Sequence, residues 1–221
     1  MSKWKEYNEG LSKLNNKLVS HNEISKFNFI ETGHYNHIRD IFGITIASLL
    51  DDDKKLKILD FGSNSTSWLN LKNRINTKNL LIDIFDPFSS EMQLPVNGYD
   101  RNIRFFDKFN KLDQHYELVI LGSSLHYLGK PFDKLDEILG LDPKYVLITH
   151  TPISLEETFI TKTFNKHEGE ITVNSFNEIQ EYIEKKNYQI IFKSILPKDT
   201  MTIPVYKLGI TECVNLLIQK K

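Results

Sequence analysis

Residues 117–149, ELVILGSSLHYLGKPFDKLDEILGLDPKYVLIT, decide the fold. Two apolar runs, 117–122 and 144–149, have strand length, and they flank a helix-like segment, 131–140, with Pro131 suited to its first turn. Strand, helix, strand in that order is a crossover unit, and it makes the two strands parallel. Outward toward the N-terminus lie LKILDF at 56–61, NLLIDIF at 79–85 and NIRFF at 102–106, with a helix-like segment at 65–75. These runs are continuously apolar, as strands of a parallel sheet covered on both faces must be. Outward toward the C-terminus comes a long polar stretch, 151–174, read as a loop. A helix over about 175–186 follows, with Ser175 and Glu178 at capping-box spacing. The last strands, 188–196 and 211–219, are joined by 197–210, too little chain for a crossover helix, so they pair antiparallel. The expected architecture is an α/β, doubly wound, seven-stranded and mostly parallel sheet.

The first fifty residues read as helical. Trp4, Tyr7, Leu11, Leu14 and Leu18 mark one face, and Tyr35, Ile38, Ile41, Phe42, Thr45, Ile46, Leu49 and Leu50 a second. Residues 1–55 are therefore an N-terminal helical extension packed on a main domain, 56–221. With 221 residues, the chain is long enough to bury its own core. No apolar run approaches the ~20 residues of a membrane span, and MSKWKEYNEG lacks the apolar stretch of a secretory signal. Cys213 is the single cysteine, so internal disulfides and cysteine-based zinc sites are excluded, and a cytoplasmic location is expected. A formal net charge of −1 provides no global field for nucleic acid or anionic lipid.

Doubly wound sheets bind ligands at the carboxyl ends of their strands. After the first strand stand Asp60, Gly62, Ser63, Asn64 and Ser65. Asp60 can accept a hydrogen bond from an amine, and Gly62 lets the backbone turn sharply against a ligand. Asp86 follows the second strand, 24 residues after Gly62, where a carboxylate suits two ribose hydroxyls; Asp83 competes for that role. Asp107 ends the third strand and can receive an exocyclic adenine amine. Each acid alone is as readily a turn former, but three at successive loops favour nucleoside binding.

LKILDFGSNS, IFDPF, YELVILGSSLHYLGKPFDKLDEIL and KYVLITHTPI together resemble a class I S-adenosylmethionine-dependent methyltransferase, across about residues 56–150. More narrowly, SSLHYLGKPFDKLDEIL and VLITHTPI resemble a family of bacterial methyltransferases often encoded near surface-polysaccharide genes. The resemblance implies a Rossmann-like methyltransferase fold with S-adenosyl-L-methionine as cofactor. It implies that Asp60 and Gly62 line the methionine end, Asp86 holds the ribose and Asp107 lies near the adenine. Gly122, Ser123 and Ser124 then fall where cofactor and acceptor meet. The usual glycine-rich run is reduced here to Gly62, with Asn64 able to keep a left-handed turn. Glu117 stands near where many relatives open the fourth strand with Asp, and it is assigned no role.

On the acceptor side, His126 and His150 lie just past the fourth and fifth strands. With an ordinary pKa of ~6.5 either can act as a base near neutrality, and His150 is preferred because it opens the polar stretch carrying Glu156, Glu157 and His167. The opposing reading of each is a hydrogen-bonded structural histidine. His34 and His37 share a helix face but lack a third ligand, so no metal is expected. Tyr127 and Lys130 are three apart, against the four of a Tyr-Lys dehydrogenase pair, and the G-x-S-x-G elbow of a hydrolase is absent. Cys213 reads as a small core residue. The expected function is methyl transfer to an oxygen of a small or carbohydrate-linked acceptor, with no nucleic acid or membrane partner. The alternative is a non-catalytic binding protein on the same fold, motivated by the reduced glycine run.

Overall fold

In the computed structural model the described residues are 33–49, 55–62, 80–86, 102–162, 170–196 and 210–221. The chain divides into two units, Met1–Leu112 and Asp113–Lys221. In the first, α1 (Gly33–Leu49) precedes β1 (Leu56–Phe61), β2 (Leu80–Phe85) and β3 (Ile103–Phe106). The strands pair in the order β3-β2-β1, all parallel, with Leu59 opposite Asp83 and Asp83 opposite Arg104. Ile58 and Leu59 point to opposite faces of the sheet and both are fully buried, as are Ile82 and Ile84, which is why these runs are so apolar. Each such side chain contributes about 1.5–3 kcal/mol by leaving water. In α1 the expected stripe is seen at Phe42, Thr45 and Ile46, all buried, while Ile44 points to solvent. The expected stripe from Trp4 to Leu18, the helix at 65–75, Asn64 and the side chains of His34 and His37 lie outside the described residues.

The second unit begins with β4 (Leu118–Gly122), a 3-10 turn (Leu125–Tyr127) and α2 (Pro131–Leu139), with Pro131 in its first turn as expected. Leu135 and Ile138 of α2 are buried, three residues apart on one face. Then follow β5 (Tyr145–Ser154), β6 (Phe159–Lys162), β7 (Glu170–Ser175), α3 (Phe176–Lys185), β8 (Tyr188–Ile195) and β9 (Thr211–Lys220). β4 and β5 are parallel, with Gly122 opposite Thr149. β9 pairs antiparallel with both β5 and β8, as the short 197–210 connection requires.

The expected loop at 151–174 is corrected by the structure. β5 runs ten residues and continues past the end of β4, and β6 and β7 form an antiparallel hairpin. β7 lies parallel to the overhang of β5, with Ile153 opposite Asn174 and Ser154 opposite Ser175. Nine strands are therefore described instead of seven. The reason is visible in the alternation of EITV at 170–173, which buries Ile171 and Val173 against Phe159. The capping box is also corrected. Ser175 makes no side-chain cap bond; its backbone N–H donates to Thr158 Oγ1 (2.8 Å), and the Thr158 hydroxyl donates to Glu178 Oε2 (2.6 Å).

Candidate functional site

In the first unit the strand ends present three carboxylates with different surroundings. Asp60 is fully buried near the end of β1, and Gly62 just after it takes a φ of 72°, a conformation that a side chain would strain. The Gly62 N–H donates to the Phe85 carbonyl (2.8 Å), and the Phe61 and Phe85 rings pack at 5.1 Å beneath this turn. Asp86, buried, is the first residue after β2, and its N–H donates to the Phe106 carbonyl (3.1 Å). Asp83 lies inside β2 and receives a bidentate pair from Arg104, Nε to Oδ1 and Nη2 to Oδ2, both 2.7 Å. The parallel register that sets Asp83 opposite Arg104 thus ties Asp83 to a structural ion pair. Asp107 is partly exposed and bonded by Lys111 Nζ at 3.2 Å, which holds its carboxyl below the usual range.

The second unit places Ser123 and His150 together. Ser123 follows β4, His150 lies in β5, and Ser123 Oγ and His150 Nδ1 share a hydrogen bond of 3.0 Å. Both have left-handed backbones, φ 54° at Ser123 and 48° at His150. That conformation costs a residue with a Cβ roughly 1–2 kcal/mol, and it is tolerated where surroundings impose it. Here they do. The β5–β9 register slips between Ile148 and Thr151, so Thr149 and His150 bulge out of the ladder. Asn215 of β9 repairs the gap: its Oδ1 accepts the His150 N–H (3.0 Å), and its Nδ2 donates to Ser194 Oγ (3.1 Å). Across the turn, the Ser123 N–H donates to the Thr149 carbonyl (3.0 Å). A bulge of this kind re-aims a side chain within a strand.

The 3-10 turn packs against β5 and β7, and these elements carry further buried polar atoms. Ser124 Oγ, both ring nitrogens of His126, Thr149 Oγ1 and both amide atoms of Asn174 have no hydrogen-bond partner among the described residues. The His126 side chain is fully enclosed, and burial, with a smaller contribution from nearby His150, lowers its pKa to about 3. It is therefore neutral near physiological pH, which weakens the expectation that it acts as a base. Leaving a buried polar group unsatisfied costs about 1–3 kcal/mol. Six such atoms without any partner would rival the ~5–15 kcal/mol that holds a whole domain together, so partners beyond these side chains, buried water or a bound group, are required. Gly122 closes β4 opposite Thr149, beside the group.

Sequence reasoning found Ser123, Ser124, His126 and His150 but missed Asn174, Thr149 and Asn215. For Asn215 the signal was a polar residue inside the apolar run CVNLLI. For Asn174 it was the alternating strand read as loop. The carboxyl-end residues Asp60, Gly62 and Asp86 fall at the strand ends expected of them. Cys213 is buried, and burial pushes its thiol up to about 12, consistent with a core residue. Tyr127 is largely exposed, its ring 4.2 Å from that of His126.

No protein-family model matches the chain, and no curated protein matches it. Solved structures do. It is similar to the Burkholderia thailandensis 1,6-didemethyltoxoflavin-N1-methyltransferase, determined with 1,6-didemethyltoxoflavin and S-adenosylhomocysteine bound, at TM-score 0.61 and 11% identity over 96% of this chain and 89% of that one. It is similar to the magnesium protoporphyrin IX methyltransferase of Synechocystis PCC 6803 with bound S-adenosylhomocysteine, at TM-score 0.56 and 13% identity, covering 86% and 84%. A (4+2)-cyclase, SpnF, also matches, at TM-score 0.58 and 12% identity, covering 82% and 81%. The chain has the Rossmann-like fold of class I S-adenosylmethionine-dependent methyltransferases.

Proposed function

We propose that this chain transfers a methyl group from S-adenosylmethionine to an oxygen of a small or carbohydrate-linked acceptor. The observation that supports it best is the Ser123–His150 pair, held in two left-handed backbones, one just after β4 and one at the bulge within β5, in a methyltransferase fold. The first unit fits the cofactor chemically. Asp86, buried directly after β2, suits the ribose hydroxyls; Asp60 suits the methionine amine; Gly62 permits a close backbone approach. Asp83 is set aside because Arg104 occupies both its oxygens, and Asp107 would face the adenine only in competition with Lys111. Gly122 and Ser123 keep the cofactor-lining role that the resemblance implies, and Asn64 remains an expectation outside the described residues.

S-adenosylmethionine, when bound, supplies a methyl group on a positively charged sulfur, and the residues of the chain bind, orient and accept a proton. With the Nδ1–H of His150 donated to Ser123 Oγ, its Nε2 lone pair takes the proton of an acceptor hydroxyl. Ser123 bonds the Nδ1 side of the ring and Asn215 the backbone, so the ring is held before the acceptor arrives. The resemblance of SSLHYLGKPFDKLDEIL to enzymes encoded near surface-polysaccharide genes is what supports a carbohydrate-linked acceptor. Calorimetry with S-adenosylhomocysteine tests the cofactor. A chain that gives neither heat nor a thermal shift at millimolar ligand is not a methyltransferase.

A further inference from the structure

We infer that Ser124, His126, Thr149 and Asn174 form an acceptor subsite for an uncharged group that both donates and accepts hydrogen bonds, such as an alcohol, phenol or amide. The inference rests on the methyl-transfer reading for its chemical meaning, and on the second unit alone for its location. The four residues come from three places: the turn after β4, the end of the β4-paired part of β5, and β7 where it lies along the overhang of β5. Their six polar atoms are buried and lack hydrogen-bond partners among the described residues. Two hydroxyls, an imidazole and an amide can supply donors and acceptors together. None of them carries a charge to offset that of a carboxylate or phosphate.

The composition of the interior points the same way. Among the described residues, no lysine or arginine of the second unit is buried and its one buried carboxylate oxygen, Glu212 Oε2, already faces Lys193 (3.3 Å), whereas the first unit buries Asp60, Asp83 and Asp86. An anionic acceptor would enter this interior with no cation to meet it, at the cost of its hydration. A neutral, multiply hydrogen-bonding group loses little and satisfies what the fold leaves open. Burial keeps His126 neutral, so it serves as donor and acceptor instead of as a countercharge. β7 pairs with β5 through Ile153↔Asn174 and Ser154↔Ser175, which sets Asn174 beside the overhang of β5.

Asn174→Leu separates a ligand-binding polar group from a structural one. If Asn174 serves a ligand, the substitution removes an unsatisfied amide, and the melting temperature of the full chain rises by about 2–4 °C. The thermal shift produced by S-adenosylhomocysteine stays as in the parent chain. A structural asparagine gives a fall instead, and that overturns the subsite. The acceptor class is tested by S-adenosylhomocysteine formation with matched pairs, glycerol against glycerol 3-phosphate and catechol against salicylate. At least tenfold faster turnover of a neutral member, lost in Asn174→Leu, is expected. Preference for the anionic members, or turnover of none, counts against the assigned class. Loss of the S-adenosylhomocysteine shift in the parent chain overturns the methyl-transfer reading instead, and the direction of the Asn174→Leu melting change still decides whether the polar subsite exists.

Discussion

At His150 the chain accepts an unfavourable backbone to place one imidazole, and the surrounding bonds show what holds it there. Ser123 bonds the ring and Asn215 bonds the backbone N–H. If the ring takes the acceptor proton, His150→Ala lowers kcat by ~10²–10⁴ while calorimetric affinity for S-adenosylhomocysteine stays nearly intact. The acidic limb of the pH–rate profile disappears with it. His126 makes a separate expectation, one of stability. Its folded pKa of about 3 lies below the ordinary 6.5, so the unfolded chain binds this proton first as pH falls. Stability is complete above pH ~6.5 and declines toward pH ~3, by about 2 kcal/mol between pH 6.5 and 5 on account of this residue. Urea unfolding at the two pH values should show that loss, and His126→Leu should flatten it. The two acids of β2 are distinguished in the same spirit. Asp86→Asn should weaken S-adenosylhomocysteine binding with little change in melting temperature. Asp83→Asn should instead lower the melting temperature, because it breaks a mostly buried bidentate pair with Arg104.

The elements show where the sequence was readable and where it was not. β1, β2, β4 and the first half of β5 were legible because burial on both faces leaves a continuous apolar run with clear ends. Pro131 announced α2, and the Ser175–Glu178 spacing pointed to α3 although the side-chain cap it implied does not form. The β6–β7 hairpin carried a period-two signal, but polar Thr, Lys, Asn and Glu interrupt it and lower its apparent hydrophobicity. At the start of β7, Glu170 is exposed and Thr172 half-buried, so those alternate positions had no need to be apolar. The bulge at Thr149–His150 was beyond sequence reading altogether. It is a mismatch of register between β5 and β9, where His150 and Asn215 lie 65 residues apart in the chain, and no local pattern records it. Asn215→Leu should therefore leave the buried His150 N–H without its acceptor, costing about 1–3 kcal/mol in chemical denaturation. Asn215→Asp keeps the accepting oxygen and should recover part of that loss.

Over the whole molecule, the two units carry different kinds of buried polarity, carboxylates in the first and neutral groups with histidines in the second. S-adenosylhomocysteine at 100 times its dissociation constant should stabilise the fold by ~2.7 kcal/mol, a rise of roughly 5–10 °C in melting temperature. Differential scanning fluorimetry reads this directly. β5 has a further consequence, in time as well as energy. It is hydrogen-bonded along one edge by β4 and then β7, and along the other by β9. β8, by contrast, pairs with β9 alone among the described residues and turns Ile191, Phe192 and Ile195 outward. Amide protons at the centre of β5 can meet deuterium only when the unit opens as a whole, while those on the outer edge of β8 exchange from the native state. Transferred into heavy water, the chain would keep its last protons at Val146, Leu147 and Ile148, the residues that lead into His150.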